Sequence, residues 1–150
     1  MKTMYRLIIF LVLLLPATSF GQRVANFAYK TFNAEDFEAY GFWVTGNEVG
    51  DINYSYKTPE GDIKTMKLQY EGTEMLSGEK AFKVLFPNNL RLYIVPRINN
   101  TLKVASLDGT YSKVFRWLYE GPVEGRGTFC EVCAGNAQEA TKLLRTYYLK

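Results

Sequence analysis

The 150-residue chain contains no histidine at all. That excludes Ser-His-Asp triads, histidine general bases, imidazole metal ligands and c-type haem attachment. It has only two cysteines, so a four-cysteine zinc site within one chain is excluded too. Charge of one sign is also scarce. Of 18 basic residues, Lys2 and Arg6 lie in the leader described below, and the rest are spread along the chain against 15 acidic ones. Without a basic stripe, nucleic acid is not the expected partner.

The one long apolar run is Leu7 to Leu15, preceded by Lys2 and Arg6 and broken by Pro16. It is shorter than the roughly 20 residues needed to cross a bilayer. Its layout is that of a secretory signal peptide. Ser19 and Gly21 suit the small-residue positions of a cleavage site, leaving Gln22 as the first mature residue; a cut after Ser19 is the second option. The expected organisation is a signal peptide over 1–21 and one domain over 22–150, with no membrane span after cleavage and a secreted or periplasmic destination.

Within the domain the dominant period is two. Tyr40, Phe42 and Val44 alternate with polar or small neighbours. So do Ile52, Tyr54 and Tyr56; Met66, Leu68 and Tyr70; Phe82, Val84 and Phe86; Leu90, Leu92 and Ile94; Leu102 and Val104; and Phe115, Trp117 and Tyr119. Such alternation marks half-buried strands. Turn signals separate them at Gly46-Asn47, Pro59-Glu-Gly61-Asp62, Gly72, Ser77-Gly78, Asn88-Asn89, Asn99-Asn100 and Asp108-Gly109. An eighth strand is expected at 127–130. Asn33-Ala-Glu35-Asp36 has the form of a short helix start. After residue 133 the period becomes helical, with Ala134, Ala137, Thr141, Leu144 and Tyr148 on one stripe, predicting a helix over about 134–148. The fold class is mainly β: a seven- or eight-stranded antiparallel meander, barrel-like or a sandwich, with one C-terminal helix.

Cys130-Glu-Val-Cys133 precedes that helix. In an exported protein the pair reads as a disulfide staple; a redox dithiol is the lesser reading, because oxidoreductases place this motif in a βαβ unit. Asp51-Ile-Asn53-Tyr-Ser55 mimics the start of a calcium loop but has Tyr56 where the loop needs glycine, so no metal site is assigned. Glu120, Glu124 and Arg126 occupy a glycine-rich loop that reads as solvated, and no catalytic residue is assigned. Asn53 and Asn99 begin glycosylation sequons, relevant only in a eukaryotic host.

Gly41-Phe42-Trp43 opens the first strong strand. With the export signal, the strand count and the final helix, it resembles the start of a lipocalin or related calycin. The resemblance implies an eight-stranded barrel and a structural Trp43 packed across its closed end, with Arg116 a loose match for the family's arginine over that tryptophan. Strand-borne aromatics would then line a cavity, and the ligand-binding candidates are Trp43, Tyr54, Tyr56, Tyr70, Phe82, Phe115 and Trp117. Aromatics on strands equally build an ordinary core. The expected function is a non-enzymatic binding protein for a small apolar ligand without a cofactor. The second reading is an interaction or envelope-maintenance module docking another exported protein.

Overall fold

A computed structural model of the chain describes residues 22–30, 35–118 and 134–150. Its strands are β1 (Gln22–Lys30), β2 (Phe37–Thr45), β3 (Glu48–Lys57), β4 (Ile63–Leu76), β5 (Glu79–Leu85), β6 (Arg91–Pro96), β7 (Thr101–Ala105) and β8 (Ser112–Trp117), followed by the helix α1 (Ala137–Tyr148). Each strand pairs antiparallel with the next, and β8 returns to β1, closing the barrel. The sequence left barrel and sandwich open; the pairing of Phe27 with Trp117 decides for the barrel.

The period-two pattern becomes an inside and an outside. Ala25, Phe27, Tyr40, Phe42, Val44, Ile52, Leu68, Phe82, Val84, Leu92, Ile94, Leu102, Val104 and Phe115 form one buried cluster, and Ala140, Leu144 and Tyr148 of α1 belong to it. Phe42 stands at its centre, edge-on to Phe27, Phe82 and Tyr148 at centroid distances of 6.3, 5.9 and 5.5 Å. A smaller buried group, Leu76, Ala81, Tyr93, Val95 and Ala105, lies on the opposite register of β4–β7.

Three irregularities shape the end that α1 covers, one of them in β1 between Arg23 and Ala25 opposite Trp43 and Phe42. Gly50 and Asp51 together oppose Trp43 in the β2–β3 ladder. A Cβ on Gly50 would stand 2.8 Å from the Trp43 carbonyl group, so only glycine allows this approach. In β4, Glu71 and Gly72 oppose Lys83 alone, and Gly72 has φ +86°. Gly72 is therefore a bulge inside one long strand, where the sequence suggested a break. The bulge turns Tyr70 and Thr73 to the same target: both hydroxyls donate to the Tyr148 carbonyl, at 2.9 and 3.2 Å.

Helix α1 starts at the N-cap Asn136, with Glu139 reaching back to the residue before it. Asn136 Oδ1 accepts from the Glu139 amide at 2.9 Å, and Glu139 Oε2 accepts from the Gly135 amide at 2.7 Å. Arg145 donates twice to the Pro96 carbonyl, at 2.8 and 3.2 Å, fixing the helix to the end of β6.

Three expectations are corrected or fall elsewhere. Glu35 and Asp36 are not helical and Phe37 already belongs to β2, so no helix runs from residue 35 toward Tyr40; Asn33 lies outside the described residues. The strand that completes the eight is β1. The segment 127–130 expected for that role lies outside the described residues, as do the leader 1–21, Tyr119, the loop with Glu120, Glu124 and Arg126, and the pair Cys130 and Cys133.

Candidate functional site

Because the chain is a simple meander, its loops fall alternately at two ends. The 46–47, 77–78 and 97–100 turns lie at the end covered by α1. The 58–62, 86–90 and 106–111 turns lie at the other, which α1 does not reach.

At the covered end Tyr148 is fully buried, and its hydroxyl donates to the Trp43 carbonyl at 2.5 Å. The Asp51 carbonyl is a second neighbour at 3.4 Å. Burial pushes this phenol well above its ordinary pKa. This end is shut by the chain itself. Clefts of about 420 and 460 Å³ flank the helix outside the barrel, both edged by Arg97, Ile98 and Arg145. Arg97 pairs with Glu79 at 3.3 Å, and Arg145 is committed to Pro96.

At the uncovered end a cleft of about 350 Å³ is lined by Tyr54, Tyr56, Met66, Phe86, Pro87, Asn88 and Leu90. Tyr54 forms its inner wall. Its ring is edge-on to Phe86 at 5.3 Å, stacked with Tyr56 at 5.7 Å and tilted against Tyr40 at 5.1 Å.

Beside the cleft sits a polar group that the apolar pattern does not announce. Glu38 shares the inward register of Tyr40, Phe42 and Val44, and its side chain is only 15 % exposed. Its carboxylate accepts from Lys113 Nζ and from the Tyr111 hydroxyl at 3.3 Å. The Lys113 ammonium also lies over the Tyr29 ring at 4.8 Å and the Tyr111 ring at 5.7 Å. Burial and then the Glu38 charge push the Tyr54 and Tyr111 phenols far up. Tyr40 is pushed furthest, by burial first and then by Tyr111, Tyr54 and Glu38. Its hydroxyl is buried and has no hydrogen-bond partner among the described residues.

The expected ligand-binding residues separate accordingly. Tyr54 and Tyr56 come together at the uncovered end. Phe82 and Phe115 are fully buried in the packed interior, with Tyr40 5.0 Å from Phe115. Tyr70 anchors α1, and Trp117 packs against the core from the end of β8. Trp43 lies near the covered end but on the outer register, its ring 2.8 Å from where a Cβ on Gly41 would stand. The packing across the closed end that the lipocalin resemblance implies for Trp43 is done by Tyr148 instead. Arg116 is exposed on β8. Glu38, Tyr111 and Lys113 were missed. The available signal was a carboxylate two residues before Tyr40 in the inward register.

A closed, eight-stranded antiparallel barrel with one C-terminal helix fits the calycin-like class of folds. Family models, curated proteins and solved structures contain no match to the chain. Among the described residues no helix is long and apolar enough to cross a membrane, and no three acidic or cysteine side chains are grouped to hold a metal ion.

Proposed function

We propose that the chain is an exported, non-enzymatic binding protein, lipocalin-like in plan, that takes a small apolar ligand at the uncovered end of its barrel. The observation that carries the reading is the aromatic cleft of Tyr54, Tyr56, Met66, Phe86 and Leu90, opposite an end closed by α1. Ligand sites favour barrel mouths with apolar walls and a few convergent polar groups. Because Phe82 and Phe115 fill the interior, the ligand sits in the mouth rather than deep inside the barrel. Export is supported by the leader-like run, Leu7 to Leu15 behind Lys2 and Arg6. In an oxidising compartment Cys130 and Cys133 would staple the approach to α1.

The test is native and denaturing mass measurement of protein recovered from the secretory compartment. An adduct that is present natively, lost on denaturation and absent in Leu90→Asp supports the reading; a bare protein that takes up no apolar probe contradicts it. The denatured mass also checks cleavage before Gln22 and the loss of a pair of thiol hydrogens.

A second reading has its own observation. Ile63, Leu90 and Leu107 are 56, 45 and 70 % exposed, and all stand on the rim of the uncovered end. Such a rim suits docking against another exported protein. Cross-linked capture of one specific partner, lost in Ile63→Asp with Leu107→Asp, would favour it.

A further inference from the structure

We infer that the ligand of the uncovered end is an amphipathic organic cation, whose ammonium head takes the place Lys113 occupies on Glu38 while its apolar tail lies in the Tyr54–Phe86 cleft. The inference rests on the binding reading above and specifies its ligand.

The mouth already holds an alkylammonium group: its own. Lys113 Nζ is paired with Glu38 and sits over the faces of Tyr29 and Tyr111. A carboxylate with aromatic walls is the chemistry that recognises organic cations. The two partners differ in how readily they move. Glu38 has a short stem, is 15 % exposed and is also held by Tyr111; Lys113 has a long stem and is 31 % exposed. In an exchange Lys113 swings into water and Glu38 stays. An anionic head would have to approach a carboxylate that is nearly buried, which is repulsive where solvent screens least.

The Tyr40 hydroxyl is the second polar point. It is buried without a partner among the described residues, and its neighbours are Tyr111, Tyr54 and Glu38. It can accept an N–H from a head group already seated on Glu38. Tyr54 joins the two halves of the site, contacting Tyr40 on one side and Phe86 on the other. A molecule with a cationic head and an apolar tail spans that distance along one ring.

The experiment is isothermal calorimetry of the full chain at neutral pH and low salt with octylammonium, octanol and octanoate. These share a tail and differ in head. Octylammonium is expected to bind about tenfold more tightly than octanoate, the size of one desolvated cation–aromatic and carboxylate contact. Glu38→Gln should erase the preference, and Lys113→Met should tighten octylammonium by removing the tethered competitor. Equal affinities across the series, or tighter octanoate, overturn the inference and leave the binding reading standing. No binding by any of the three overturns both. Should a variant fail to fold by circular dichroism, the head-group series on the unmodified chain decides alone.

Discussion

The hydroxyl of Tyr148 reaches 105 residues back along the chain to the Trp43 carbonyl, beside the place where Gly50 and Asp51 widen the β2–β3 ladder. One phenol thereby ties the last turn of α1 to the second strand, while its ring fills the barrel against Phe42 and Phe82. Tyr148→Phe keeps the ring and loses the bond; urea unfolding should show a cost of about 1 kcal/mol. Gly50→Ala acts on the same spot from the other side. Its Cβ would stand 2.8 Å from Trp43 backbone atoms, which cannot rotate away, so a cost of about 1–3 kcal/mol is expected in the same assay. A neutral Gly50→Ala would show that the ladder relaxes freely there. Tyr54 and Tyr56 were legible as site residues because they are aromatic and alternate. Glu38 and Lys113 were not, because a charge on a strand ordinarily faces water and only the register shows these two facing inward.

Among the elements, α1 gains its stability from docking rather than from length. Twelve residues are marginal alone in water, yet Ala140, Leu144 and Tyr148 are completely buried at the barrel end. Leu144→Ala should cost about 2–5 kcal/mol, as a large core side chain does. Asn136→Ala removes the cap on the Glu139 amide and should cost about 1 kcal/mol. Thermal melts of both variants check the order, and a cap loss exceeding the core loss would contradict this account of the helix. The helix and seven strands were readable because their apolar periods are strong and their turns carry glycine, asparagine or proline. Strand β1 was not: its inward residues, Ala25, Phe27 and Tyr29, begin with an alanine that favours strands weakly, and its outer face carries another, Ala28. Gly72 misled for a related reason. A glycine at positive φ marks a turn or a bulge alike, and only the partner strand distinguishes them. Closure itself depends on β1 meeting β8 across most of the domain, which no local pattern encodes.

At the scale of the whole molecule, two buried phenols, Tyr40 and Tyr148, and two half-buried ones, Tyr54 and Tyr111, set the alkaline limit. Tyr40, Tyr54, Tyr111 and Tyr148 all have folded pKa values raised above the ordinary 10.0, chiefly by burial. A group raised in the folded state contributes its stability while protonated and loses it as pH climbs past the unfolded value. Stability should therefore hold up to about pH 10 and fall above it, with these phenols ionising only as the barrel unfolds. Phenolate absorbance recorded beside far-ultraviolet circular dichroism checks this; complete ionisation with the fold intact would contradict it. The outer ion pairs, such as Lys83–Glu74 and Lys67–Asp51, are exposed enough that salt should change stability little. The barrel is thus a packed body with one end shut by its own helix and one aromatic, partly polar end that no helix among the described residues covers. The most direct test of that asymmetry is a backbone-amide NMR titration of the labelled protein with octanol. Shifts gathered on Tyr54, Tyr56, Met66, Phe86 and Leu90 are the predicted result; shifts gathered beside α1 on Arg97 and Arg145, or none at saturation, would contradict the assignment of the ligand to the uncovered end.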